Sequence, residues 1–270
     1  MASQARGAGR SGATPLWPRA LQYWMRQYRR TWRGSAVSSV LAPLGFLTAM
    51  GIGLGLLIDR GRGSGELGGA GYLSFIAPGL LAATAMQTAV FECTYPVMGA
   101  IRWNRQYHAM LAGPLGVRDV LRAHLAFVGF RLASTLAVFW VVAAGFGAVH
   151  SWWAPLAVPV GVLTGAAFAT PVFAFAARQE TDEGFALLFR FLIVPMFLFS
   201  GTFFPITGLP GWLQPVAELT PLWHGVSLCR ALMLGSGSWV GAAGHVGYLA
   251  VWALGGYLLA ARELSRRLVV

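Results

Sequence analysis

The sequence predicts an all-α protein threaded several times through a membrane, and three observations carry that prediction. Of its 270 residues, 56% are hydrophobic and only 11% are charged, against roughly 25% charged in a soluble domain. Several apolar runs approach the roughly 20 residues that a helix needs to cross a bilayer. The charges between those runs are unequally divided, as the loops of a polytopic protein require. One domain is expected over residues 19–270, built from six spans, with a disordered tail over residues 1–18 rich in Gly, Ala, Ser and Arg.

The first element is an amphipathic helix over residues 19–33, RALQYWMRQYRRTWR. Leu21, Met25, Tyr28 and Trp32 are spaced four, three and four apart, so they share one helical face within about 60° of arc. Arg19, Arg26, Arg30 and Arg33 fall opposite. That pattern suits a helix lying on an anionic lipid surface, or alternatively one binding a soluble partner. Span 1 follows over about 36–58, with Gly51 and Gly55 four apart as close helix packing permits. After a Gly-rich loop come span 2 over about 72–100, span 3 over 120–148, span 4 over 154–177 and span 5 over 185–204. Span 6 runs over about 239–261.

Between spans 5 and 6 the chain carries Pro205, Pro210, Pro215 and Pro221, too many for one continuous helix. The stretch nevertheless stays apolar and aromatic, with Phe203, Phe204, Leu209, Trp212, Leu213, Leu222 and Trp223. Short broken helices that re-enter the membrane face are the expectation, since non-helical backbone at that depth must be shielded by protein or a cavity. Thr220–Pro221 reads as a helix cap and first position, and Gly235 as its stop.

The net charge of +11 is entirely arginine, because the chain has no lysine. A Walker A phosphate loop needs that lysine, so no standard ATP site is expected here, and a lysine Schiff base is excluded. No cofactor is expected on this chain, and no catalytic or metal-ligating set. His108, His124, His150 and His245 are scattered without ligand spacing, and Cys93 and Cys229 have none either. Nor is the basic excess read as a nucleic-acid footprint. Fifteen of the twenty arginines fall on one side of the six spans: Arg6, Arg10, five from Arg19 to Arg33, then Arg102, Arg105, Arg118, Arg122, Arg178 and three in the tail. Arg60, Arg62 and Arg230 fall on the other, which places both termini in the cytoplasm and the broken stretch outside. No cleavable signal peptide is expected.

Ser200-Gly201, Phe204-Pro205, Leu209-Pro210, Trp212, Pro221-Leu222, His224, Arg230 and Leu234-Gly235 occur here in the order of a known C-terminal signature. That order resembles the signature of ABC-2 type transporter permeases, most closely the nodulation-factor (lipo-chitooligosaccharide) and daunorubicin-type exporter branch. The stretch Tyr72 to Ala100, YLSFIAPGLLAATAMQTAVFECTYPVMGA, is similar to the second membrane segment of the nodulation-factor permeases, Phe91-Glu92 included. The likeness covers nearly the whole chain and is weak on substrate. It implies a transport subunit of the bacterial inner membrane rather than an enzyme. The implied partners are a separate ABC ATPase that holds ATP and Mg, a second permease copy or paralogue, lipid, and an amphipathic cargo such as a lipid-linked saccharide, glycolipid or hydrophobic drug.

Three groups of residues stand out within this frame. Glu92 and Arg131 lie at similar depths in spans 2 and 3, roughly 12 and 16 Å in at 1.5 Å per residue. Charges so placed are costly unless paired or hydrated, so the two are expected to pair or to meet polar partners. Between spans 2 and 3, Arg102, Trp103, Arg105, Tyr107, Met110 and Leu111 give apolar positions at helical spacing with arginine flanks. The resemblance implies that this is the coupling helix that docks into the ATPase; without it, an ordinary basic loop reads as well. Phe204, Pro205, Trp212, Pro221, His224 and Arg230 form the expected re-entrant gate. Two other classes remain: an ion-coupled secondary transporter, which favours paired broken helices in repeated halves, and a polytopic enzyme acting on lipid.

Overall fold

A computed structural model describes residues 16–54, 71–236 and 239–268. The expected tail up to residue 15, the end of expected span 1 over 55–58 with Gly55, and the Gly-rich loop up to residue 70 lie outside the described residues. Those described form eleven α-helices joined by short π- and 3-10 segments, with no strand. Among the described residues, four helical stretches are long and apolar enough to cross a membrane: Tyr72–Trp103, Val117–Gly145, Ala154–Arg178 and Val240–Leu268. They coincide with the expected spans 2, 3, 4 and 6.

The expected spans 1 and 5 are not among those four. The amphipathic helix does not stop before span 1. Instead α1 runs unbroken from Trp17 to Phe46 and continues in wider π-helical turns over Leu47–Leu54. Gly34 lies inside it, since one glycine costs only about 1 kcal/mol in a helix. Pro43 lies inside it too, and the backbone widens within a turn of that missing N–H. In place of span 5 come α7 (Glu183–Leu188), a π-helical stretch Phe189–Ile193 and α8 (Val194–Phe199). They end at Ser200 because Gly201 takes φ +77°. That length is about 25 Å, short of the roughly 30 Å hydrocarbon core.

The expected span 2 is also divided. Helix α2 (Tyr72–Cys93) ends at Thr94, and α3 (Tyr95–Met98) leads into π-helical Gly99–Trp103. Next come the short α4 (Gln106–Leu111), α5 (Val117–Gly145) and α6 (Ala157–Arg178). After α8 the chain makes α9 (Gln214–Glu218), α10 (Pro221–Leu234) and α11 (Trp239–Leu268). Helix α11 carries the expected tail as further helix as far as Leu268, because Leu264 is buried and Glu263 meets Arg178 at 3.2 Å.

Helix α6 is the hub, packed against α2, α5, α10 and α11, while α1 lies along α5. Small residues let these helices approach closely. A Cβ on Gly165 would come 2.6 Å from Leu132 of α5, and one on Gly225 of α10 would come 2.5 Å from Thr164 of α6. This packing fixes α2 against α5, with Glu92 and Arg131 facing each other.

Candidate functional site

Arg131 Nε donates to Glu92 Oε1 at 3.0 Å, with the two side chains 17% and 21% exposed. The Arg131 guanidinium also lies 5.2 Å from the centre of the Tyr28 ring on α1, within cation–π range. Three helices thus converge on one ion pair.

The backbone beside Glu92 is disrupted for a reason visible in the sequence. Pro96 has no N–H, so it cannot bond the carbonyl of Glu92 four residues earlier. The helix breaks at Thr94, with φ −95° and ψ −96°. His124 of α5 replaces the missing donor: its Nε2 lies 3.2 Å from the Glu92 carbonyl oxygen. A carbonyl only accepts, so Nε2 carries the proton and Nδ1 the lone pair. Nδ1 lies 2.8 Å from the Tyr107 hydroxyl, which is therefore the donor. Tyr107 and His124 are both buried. Burial, reinforced by Cys93, pushes the Tyr107 phenol well above its ordinary value, so it keeps its proton. Trp24 packs edge-on to His124 at 5.4 Å, and Phe173 of α6 stacks on Tyr107 and meets His124 at 5.3 Å.

Two cavities meet at the ion pair. One of about 400 Å³ is lined by Pro43 and Phe46 of α1, Leu80, Thr84, Gln87 and Thr88 of α2, Thr135 and Phe139 of α5, and Phe197 of α8. The other, about 300 Å³, is lined by Trp24, Gln27, Tyr28, Thr31, Asn104, Gln106 and Phe127. Glu92 and Arg131 border both, so the pair forms the partition between them. Gln106 Nε2 is buried without a hydrogen-bond partner among the described residues. The second cavity is bordered by aromatic and amide side chains, Gln106 among them.

Not all of the expected coupling residues lie on one surface. Helix α4 begins only after Arg105, whose φ of +47° breaks the chain between Trp103 and Tyr107. Trp103 is 63% exposed, and Arg102 and Arg105 are exposed. Arg102 Nη1 donates to the Glu180 carbonyl at 2.6 Å. Met110 and Leu111 are half-buried. Tyr107, expected to project outward as an apolar knob, faces inward and is fully buried. The helical spacing that placed it with Met110 and Leu111 could not show that its hydroxyl had a partner on α5.

The expected gate residues fall into two groups. Phe204 is 38% and Trp212 73% exposed, and Pro205 precedes a 3-10 turn at Ile206–Gly208. Pro221 starts α10 behind Thr220, whose hydroxyl accepts from Trp223 N at 3.3 Å, and Gly235 ends it at φ +73°. On that helix Arg230 donates to the Gly201 carbonyl at 2.8 Å and reaches the Phe75 carbonyl at 3.3 Å, beneath the Phe75 ring. It locks α10 to α2 and to the end of α8. His224 instead meets His245 of α11, with their Nδ1 atoms 2.6 Å apart, and stacks on Tyr248. His224 and Arg230 therefore serve different contacts.

No group of three His, Cys, Asp or Glu able to hold a metal occurs among the described residues. A partition of opposite charges between two cavities can bind, orient and gate a polar group.

Residues 20–234 match the family model for ABC-2 type transporters. Nodulation protein J of Rhizobium leguminosarum bv. trifolii is 33% identical over 255 residues, covering 91% of this chain and 94% of that protein. Nodulation protein J of Rhizobium meliloti (strain 1021) is 32% identical over 91% of this chain and 92% of its own. The Inner membrane transport permease YadH of Escherichia coli (strain K12) is 25% identical over 81% of this chain and 84% of its own.

Proposed function

The chain belongs to the ABC-2 type transporter family as a membrane permease subunit of an ABC exporter, and from that premise we propose that the Glu92–Arg131 pair is the inner gate of its cargo path. One observation carries this reading: the pair stands between two cavities and borders both. A gate must be costly to leave half-made, and two unlike charges inside an apolar bundle meet that condition. Cargo with a polar head and an apolar tail would set its head among Gln27, Thr31, Asn104 and Gln106. It would then displace the ion pair and pass to the hydroxyls of Thr84, Thr88 and Thr135. Its apolar part would lie against Phe46, Phe139 and Phe197, or in lipid.

The same reading makes this chain half of the path, in the bacterial inner membrane, completed by a second copy or paralogue. The six-span arrangement with both termini cytoplasmic is part of it. So is a docking surface for a separate ABC ATPase, formed by Arg102, Trp103, Arg105, Met110 and Leu111. Trp103 supports it, as a large aromatic side chain exposed among arginines and suited to a groove on another protein. Phe204, Pro205, Trp212 and the helix α10 would form the outer closure.

Copurification tests the assembly: the tagged chain, gently solubilised, should carry a stoichiometric soluble ATPase with vanadate-sensitive hydrolysis. Arg105→Glu together with Trp103→Ala should lower that recovery about tenfold or more, on the scale of losing interface anchors. Unchanged recovery would remove this surface from the docking site.

A further inference from the structure

The hydrogen bonds from Tyr107 to His124 and from His124 to the Glu92 carbonyl belong neither to a helix ladder nor to the ion pair. They run from the short loop helix α4, across α5, to the break in the second membrane segment. We propose that this Tyr107–His124–Glu92 chain is the mechanical link by which movement of α4 on the ATPase opens the Glu92–Arg131 partition. The proposal rests on the reading of the loop as the ATPase docking surface.

The geometry gives the link its direction. Helix α4 is short and entered through a left-handed residue, Arg105, so it can tilt as a unit. Tyr107 is the residue on it that is wholly buried. Its ring is stacked on Phe173 at 6.4 Å, with the planes 12° apart. A tilt of α4 therefore either drags the ring and His124 with it or breaks the hydroxyl–imidazole bond. The first case moves the donor on which the Glu92 carbonyl relies, and the second frees the His124 ring to turn away from it, because Pro96 has removed the helical donor that would otherwise hold that carbonyl. The carbonyl and the carboxylate belong to one residue. A change at the break in Thr94–Pro96 thus rotates the Glu92 side chain relative to Arg131, which is anchored on the unbroken α5. In a straight helix the carbonyl would be bonded internally and would not respond. The unusual feature of the site is that Pro96 makes it responsive.

A cysteine at Thr88 in the larger cavity reports on the partition, with Cys93 and Cys229 buried and silent. The experiment uses the permease copurified with its ATPase. The labelling rate with a water-soluble maleimide is compared between nucleotide-free and ATP–vanadate-trapped complexes. The Thr88→Cys parent should show a clear nucleotide-dependent change in rate. Adding Tyr107→Phe keeps the stacked ring and removes only the hydroxyl. It should leave copurification and ATP hydrolysis in place while shrinking that change about fivefold, the factor that corresponds to one net hydrogen bond. Pro96→Ala, which restores the helical N–H, should shrink it from the other end.

An unchanged response in Tyr107→Phe overturns the link. An unchanged response in Pro96→Ala alone overturns the step through the Glu92 carbonyl. Loss of the ATPase only in Tyr107→Phe would make Tyr107 a docking residue and also overturns the link. A parent that binds ATPase but shows no nucleotide response overturns the link and leaves the docking surface standing. A parent that recovers no ATPase overturns the docking reading, and the link with it.

Discussion

The Glu92–Arg131 pair is partly exposed, at 17–21% of each side chain, and that sets its energetics. A surface pair contributes about 0–1 kcal/mol, whereas breaking a fully buried one costs about 3–5 kcal/mol. Removing one partner here should cost about 1–3 kcal/mol, because the remaining charge keeps some water and, for Arg131, the Tyr28 ring. Glu92→Gln and Arg131→Leu should each lower the unfolding midpoint in detergent. The double variant should lose about 1 kcal/mol less than the sum, as contacting charges do. Strict additivity would mean that the pair contributes nothing as a pair. A meeting of Glu92 with Arg131 was suggested by the sequence because both are charges in apolar runs, and the structure sets them 3.0 Å apart. His124 was not, because a lone histidine without ligand spacing does not reveal partners that lie on other helices. Pro96 four residues after Glu92 was the available signal: a proline in a span frees a carbonyl, and the freed carbonyl needs a donor.

At the scale of elements, the close approaches are the most sensitive points. A Cβ on Gly225 of α10 would meet Thr164 Cγ2 and Oγ1 at 2.5 Å. The Thr164 hydroxyl already donates to the Val160 carbonyl at 2.9 Å and has little room to move. Gly225→Ala should therefore destabilise by about 1–3 kcal/mol through overpacking. Thr164→Ala should recover part of the loss. On α11, a Cβ on Gly247 meets nothing within 4 Å. There Gly247→Ala should be neutral or slightly stabilising, from helix propensity alone. Thermal unfolding of the three variants separates the cases, and an equal effect at both glycines would refute the packing account. The cap and stop of α10 were readable from Thr220, Pro221 and Gly235, because capping is local chemistry. The uninterrupted α1 and the shortened run α7–α8 were not. A single glycine or proline is too weak a signal to decide between continuing and stopping: Gly34 is tolerated in an exposed turn of α1, with nothing within 4 Å of a Cβ there, whereas Gly201 takes φ +77° beside Ile206 and Trp223.

At the scale of the whole molecule, two ends can be distinguished by the contacts that tie the loops together. At one end, Glu180 accepts from Arg102 through its carbonyl and from Arg267 at 3.4 Å through its carboxylate, while Arg178 meets Glu263 at 3.2 Å. The loops after α3 and α6 and the end of α11 are thus gathered together. At the other end, His150 N donates to the Met233 carbonyl at 2.9 Å, and a Cβ on Gly235 would touch Ser151. That joins the turn after α5 to the end of α10. The first end carries the exposed arginines, and positive loops stay inside. The second exposes Trp152 at 98%, next to the joined turn. Single cysteines should therefore report opposite sides in intact cells. His108→Cys and Asp182→Cys should react with an impermeant maleimide only after the membrane is opened. Trp152→Cys and Trp212→Cys should react at once. The background is low because Cys93 and Cys229 are buried. Labelling of Trp152→Cys from outside but Trp212→Cys only from inside would place the segment after α8 on the cytoplasmic face. The four-proline stretch would then lie beside the ATPase, and the outer closure would have to be sought in the turn after α5.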